Sequence, residues 1–168
     1  MPTHKDVQLI SATTLKQMSF VDDNLSEKQI SAAIDLVQDI DLTNALGIEL
    51  MTRIKTEVFA ESISAPIKTL LDDHIQKVIT YGVMSRIQVP IANKVRNMGV
   101  TQATDTNVTH VSVKDVSFNT NYYINIMNSY IEAMKLYICE NETDYPEFYN
   151  SDKYNRKSDN NYNCPIVL

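Results

Sequence analysis

Apolar residues recur along most of this chain at helical spacing. The longest run is Ser112 to Glu140, where Val113, Val116, Tyr123, Met127, Tyr130, Met134 and Tyr137 fall at three- and four-residue steps, interrupted only at Thr120. Ile124, Ile131 and Ile138 widen that stripe into a broad face. Ser112, with Asp115 three residues on, reads as a capping-box start. At about 1.5 Å per residue this helix spans about 40 Å and must pack along its length against other helices.

Three shorter helices supply the cover, at about 27–46, 48–60 and 66–88. In the first, Ile30, Ala33, Ile34, Val37, Ile40 and Ala45 (or Leu46) form the apolar face, and Gly47 ends it. In the second, Leu50, Ile54 and Val58 point inward. The third starts from a Ser64 cap with Pro66 in its first turn. It carries Ile67, Leu70, Leu71, Ile75, Val78, Ile79, Val83 and Ile87 inward and ends at Pro90. Gly82 lies on its apolar face, where the missing side chain lets another helix approach closely. These faces suffice to make the 112–140 helix the spine of a bundle within one chain.

The remaining stretches lack the helical period. Val7, Leu9 and Ile10 form a short β-like patch, and Asp22-Asp23-Asn24 a turn. Residues 91–111 are rich in Thr, Val and Asn, with turn signals at Met98-Gly99 and Asp105 to Asn107, and read as a projecting β-hairpin or loop. After Asn141 the chain becomes Asn- and Tyr-rich and reads as an extended arm, not a helix. It carries Tyr145, Tyr149, Tyr154 and Tyr162 and ends in an apolar tip, Pro165-Ile166-Val167-Leu168. Aromatics at this density suit docking onto a partner. The expected fold is therefore mainly α: a small helical bundle over 1–149 with one long C-terminal helix, the hairpin or loop, and an arm over 150–168.

Composition narrows the function classes. A chain of 168 residues, 43% hydrophobic, holds one domain with a real core. The formal net charge of -6 and scattered basic residues argue against a nucleic-acid stripe. No export signal and no membrane span is expected. Cys139 and Cys164 form no disulfide framework, so a reduced compartment is expected, with Cys139 as a small buried apolar residue. The three glycines are too far apart for a phosphate loop, and no metal-ligand spacing occurs. His74, beside Asp72 and Asp73, is expected near the apolar face without an acid–base role, because adjacent carboxylates on a helix diverge. No catalytic, cofactor or metal residue is assigned. Lys94 and Arg96 could let the projecting stretch touch nucleic acid, which leaves a small helical regulatory or nucleic-acid-binding module as the alternative reading.

The order of these features resembles the head-to-tail connector (adaptor, or head-completion) proteins of tailed bacteriophages. It is similar in particular to the connector-like ring proteins of crAss-like and related Bacteroidetes phages. The resemblance rests on LISATTLKQMSFVDDNLSEKQISAAIDLVQDIDLTNALGIELMTRI, on LLDDHIQKVITYGVMSRIQVPIANKVRNMGV, and on the last helix with DYPEFY. It covers about residues 8–149, departs where Met98 enters the Asn-x-Gly-Val turn, and does not extend past Asn150. It implies a non-enzymatic virion protein, made in the host cytoplasm and repeated about twelve times in a ring at the head–tail junction. Its partners would be other copies, the portal protein and other tail or connector rings, with transient non-specific contact to DNA in the channel and none to membrane. Closure of a ring requires two different complementary patches on each subunit. The expected interface residues are Lys94, Arg96, Asn97 and Gly99 in the projecting stretch. Tyr149, Tyr154, Tyr162, Pro165, Ile166, Val167 and Leu168 join them from the arm.

Overall fold

A computed structural model describes residues 7–21, 25–96, 99–102 and 113–150. Leu9 and Ile10 are buried, but the Val7, Leu9 and Ile10 patch joins no ladder. Its hydrogen bonds go to one side chain: the Leu9 N–H donates to Gln38 Oε1 at 2.6 Å, and Gln38 Nε2 donates to the Val7 carbonyl at 3.1 Å. The buried Gln38 amide thus takes the place of a strand partner. Helix α1 (Ala12–Met18) follows, capped by Ser11, which accepts from the Thr14 N–H at 3.0 Å. Only Leu15 of this helix is buried, too little to produce a legible period.

Helix α2 (Glu27–Leu36) runs into a π-helical turn, Val37–Leu42, then α3 (Thr43–Leu46). The wide turn changes the phase of the apolar face. Ile40, expected inside, is 49% exposed, whereas Gln38 and Leu42 turn into the core. The two acids of the turn reach outward to other helices: Asp39 pairs with Lys55 at 3.1 Å and Asp41 with Arg86 at 2.5 Å. Burial pushes the Asp41 carboxyl up from its ordinary range, against the pull of Arg86. Gly47, at φ 87°, then turns the chain into α4 (Ile48–Phe59), a conformation that favours glycine.

Ser64 and Pro66 begin α5 (Ala65–Leu70), as expected, and a second π-helical turn, Leu71–Ile75, leads into α6 (Gln76–Ala92). All eight residues read as inward-facing, from Ile67 to Ile87, are buried. The helix does not end at Pro90. Pro90 falls in its last turn, where a missing N–H and a clash one turn back disturb least of the helix. Gly82 sits where α6 crosses the π-helical turn: a Cβ there would lie 2.9 Å from both Val37 methyls and 3.0 Å from the sulfur of Met127. Strands β1 (Asn93–Arg96) and β2 (Gly99–Gln102) pair antiparallel, Asn93 opposite Gln102 and Arg96 opposite Gly99.

Helix α7 (Val113–Glu140) lies antiparallel to α6, with Tyr81 stacked on Tyr130 and His74 on Tyr137. Ser112, its expected cap, is outside the described residues. A short 3-10 turn (Glu142–Asp144) and α8 (Pro146–Asn150) close the described chain. Residues 142–150 are therefore part of the body and not of an extended arm. Tyr145 is fully buried and Phe148 nearly so, and two aromatic anchors are enough to fold a segment with no period of its own. Cys139 is also corrected: it is half-buried, one position round from core-facing Ile138, and disulfide-bonded. The bundle is mainly helical, and among the described residues no helix is long and apolar enough to cross a membrane.

Candidate partner interface

The two ends of α7 differ in what covers them. Toward its C-terminus, Met134 and Ile138 are fully buried, and side chains from other parts of the chain close the end. Tyr145 donates to the Pro66 carbonyl at 2.8 Å, and burial pushes its phenol well above the ordinary value. His74 stacks on Tyr137 at 4.5 Å, and burial, aided by the charge of Lys77, lowers its pKa from 6.5. Arg53 of α4 holds α8 in place through Glu147 at 3.1 Å and the Asp144 carbonyl at 3.0 Å. It also pairs with Glu57 on its own helix at 2.9 Å.

Among the described residues the N-terminal half has no such closure. From Val116 to Ile126 no residue of α7 is buried. Phe118 is 72% exposed and Tyr122, one turn on, 56%. Tyr122 meets Tyr123 edge-on at 5.4 Å, and Tyr123 and Tyr130 rest half-buried against the core. Tyr81 of α6 stacks on Tyr130 at 5.3 Å and 16°, and burial and these neighbouring phenols raise its pKa. From Val116 to Ile131 the helix carries no charged side chain; its polar positions are Asn, Ser and Thr. Aromatic residues without charge, on a surface left uncovered, match the composition of protein–protein interface cores.

A family of unknown function, DUF6712, matches residues 42–158. The chain belongs to that family. No curated protein and no solved structure matches the chain. The DUF6712 match begins at the end of the first π-helical turn and takes in α3 to α8, so both ends of α7 lie within it.

The expected interface residues do not form one group. Lys94, Arg96 and Gly99 lie on the strand pair, which continues α6 at the open end of the bundle. Tyr149 lies at the other end, half-buried on α8, edge-on to Phe148 at 5.3 Å. Asn97, Tyr154, Tyr162, Pro165, Ile166, Val167 and Leu168 are outside the described residues. Phe118 and Tyr122 fall outside both the stripe and the isoleucines read as widening it, so the periodic reading passed over them. The available signal was the absence of charge along the same stretch. Among the described residues, no group of His, Cys, Asp and Glu is placed to hold a metal ion.

Proposed function

We propose that this chain is a structural subunit of a phage particle, one copy of a ring at the head–tail junction that links portal to tail and extends the DNA channel. One observation carries the reading: from Val116 to Ile126 α7 has no charged side chain and no buried residue, its Phe118 and Tyr122 stand exposed, and among the described residues only its other end is closed. A ring subunit needs such a permanent contact surface, and a second, different one to receive its neighbour. The resemblance to connector proteins gives the ring its place, and the net charge of -6 suits a wall past which DNA slides without binding. The role is one of assembly and not of catalysis, with about twelve copies.

Electron cryomicroscopy of particles encoding this chain tests the proposal. The expected density is a closed ring beside the portal, with Phe118 and Tyr122 against the next copy. A chain absent from particles, or present away from the portal, overturns it. The alternative, a small nucleic-acid-binding module, draws on the place of Lys94 and Arg96 on β1 at the open end. A DNA mobility shift by the isolated chain that weakens steeply from 50 to 150 mM salt would favour that reading.

A further inference from the structure

Two unlike apolar features stand on this chain. One is a knob: Phe118 and Tyr122, one turn apart on α7, are 72% and 56% exposed. The other is a slot of about 180 Å³ between α2 and α6, walled by Leu25, Ala32, Leu36 and Ile87, with Gln29 and Arg86 as its polar members. Neither Phe118 nor Tyr122 lines the slot, so the chain does not fill it with its own knob.

Size and charge select the occupant. The slot is smaller than the roughly 300 Å³ at which small-molecule sites begin. An apolar cavity of about 150 Å³ admits one benzene molecule, so the slot holds one aromatic ring and little more. Its one charged member, Arg86, is already paired with Asp41 and is a quarter exposed. A guanidinium so placed makes a favourable contact with the face of a ring and asks for no further carboxylate. The knob brings a ring and no charge, because α7 has no ionised side chain from Val116 to Ile131. Phe118, without a hydroxyl, leaves no polar group unmet in an apolar slot. Leu36 and Ile40, each 49% exposed, continue the apolar surface past the rim, where a second ring can rest. We infer that the slot between α2 and α6 receives Phe118 of another copy of this chain, with the ring against Arg86 and Tyr122 on the rim at Leu36. The inference deepens the ring reading and rests on it in taking copies as neighbours.

The heights of knob and slot fit a closed ring. A Cβ at Gly82 would touch both Val37, the residue after α2, and Met127 of α7, so the three helices meet at one level. From that level α6 runs on to Arg86 and Ile87, and α2 runs back through Leu36 to Gln29 in the same direction, since both walls enclose one slot. Antiparallel α7 carries Tyr122 five positions and Phe118 nine positions from Met127, also in that direction. At 1.5 Å per residue the slot reaches about 12 Å from the crossing, and the two knob residues stand about 7 and 13 Å from it. A contact between features at one height joins copies side by side with little rise along the bundle. Such a heterologous contact closes into a ring, whereas one with a rise climbs into a filament.

Complementary variants of the full-length chain test this without a growing assembly. Phe118→Ala keeps the slot and lacks the ring, and its leucine and isoleucine methyl groups are isotope-labelled for NMR. Ala32→Trp keeps the ring and blocks its own slot, because Ala32 is exposed on the slot wall. Unlabelled Ala32→Trp is titrated into labelled Phe118→Ala up to about 1 mM, which populates a contact with a Kd near that value. The Leu36 and Ile87 methyl signals are expected to shift upfield and to saturate. A chain carrying both substitutions, added instead, should bind at least tenfold more weakly. No shift, shifts confined to other residues, or equal shifts with the double variant overturns the inference. Circular dichroism checks each fold, and Gln29→Trp, exposed on the same wall, replaces Ala32→Trp if that chain does not fold. The expected shifts with a chain absent from particles would overturn the ring alone. No shift, with a ring present beside the portal, would overturn the slot alone.

Discussion

The two halves of α7 are one helix with two energetic roles. In the C-terminal half Met127, Ile131, Met134 and Ile138 face inward, and His74, Tyr145 and the Arg53 clamp close the end around them. In the N-terminal half the same apolar composition meets little of the described chain, and its aromatics stand exposed or half-exposed. Helical period and hydrophobicity do not distinguish the halves; the distribution of charge does. Glu132, Lys135 and Glu140 border the buried half, where solvent-facing positions of a monomer are charged. From Val116 to Ile126, by contrast, exposed positions carry no charge, which on the proposed reading suits a surface that a partner covers. Burial within the chain stabilises the fold, while on the proposed reading burial against a neighbour would stabilise an assembly, and the boundary between the buried and exposed stretches lies near Met127, where α6 passes at Gly82.

Substitutions should separate the two roles, and the largest loss of stability belongs to the buried half. Met134→Ala, at a fully buried position, is expected to cost about 2–5 kcal/mol in chemical denaturation. Gly82→Ala at the boundary forces a methyl group against the stiff, β-branched Val37 and is expected to cost about 1–3 kcal/mol by the same measurement. Tyr145→Phe leaves the Pro66 carbonyl without its donor at the closed end, for a loss of about 1 kcal/mol.

His74 gives the closed end a pH dependence. Its pKa is lowered from 6.5 in the folded chain, first by burial and then by Lys77, with Asp73 opposing. The unfolded state then binds the proton more readily than the folded one. Stability from this group is complete above about pH 6.5 and declines as pH falls through the folded-state value. His74→Phe, which keeps a ring against Tyr137, should flatten the melting temperature between pH 7 and 5 relative to wild type. The smallest effect on stability belongs to the open half. Phe118→Ala with Tyr122→Ala should change unfolding free energy by no more than about 0.5 kcal/mol, yet abolish assembly in particles. A loss comparable to that of Met134→Ala would show that these aromatics belong to the fold, and the contrast between the halves would collapse.

Much of the body was legible in the sequence because long amphipathic helices write their packing into a regular period. That holds for α4, for α5 through α6, and for α7 from Met127 on, and Gly82 was readable as a close approach. The exceptions share a cause: local features that a period cannot carry. A π-helical turn moved Ile40 out and Gln38 and Leu42 in without any mark in composition. A proline in a last turn did not end α6. Tyr145 and Phe148 anchor residues 142–150 singly, so an Asn- and Tyr-rich stretch that reads as an arm is folded. Two cysteines 25 positions apart say nothing of their distance in space, which left the bond at Cys139 unread. The candidate interface was the least legible part. A sequence shows that a face is apolar, but not whether its own chain is long enough to cover it.

The most direct test replaces Phe118 with a photoreactive benzoylphenylalanine in the full-length chain, irradiates assembled particles and maps the products by mass spectrometry. If the open half of α7 joins copies of this chain, the expected result is a ladder at multiples of 19.1 kDa with position 118 linked to a second copy. Links confined to the same chain, or no link in particles that contain it, would contradict that claim.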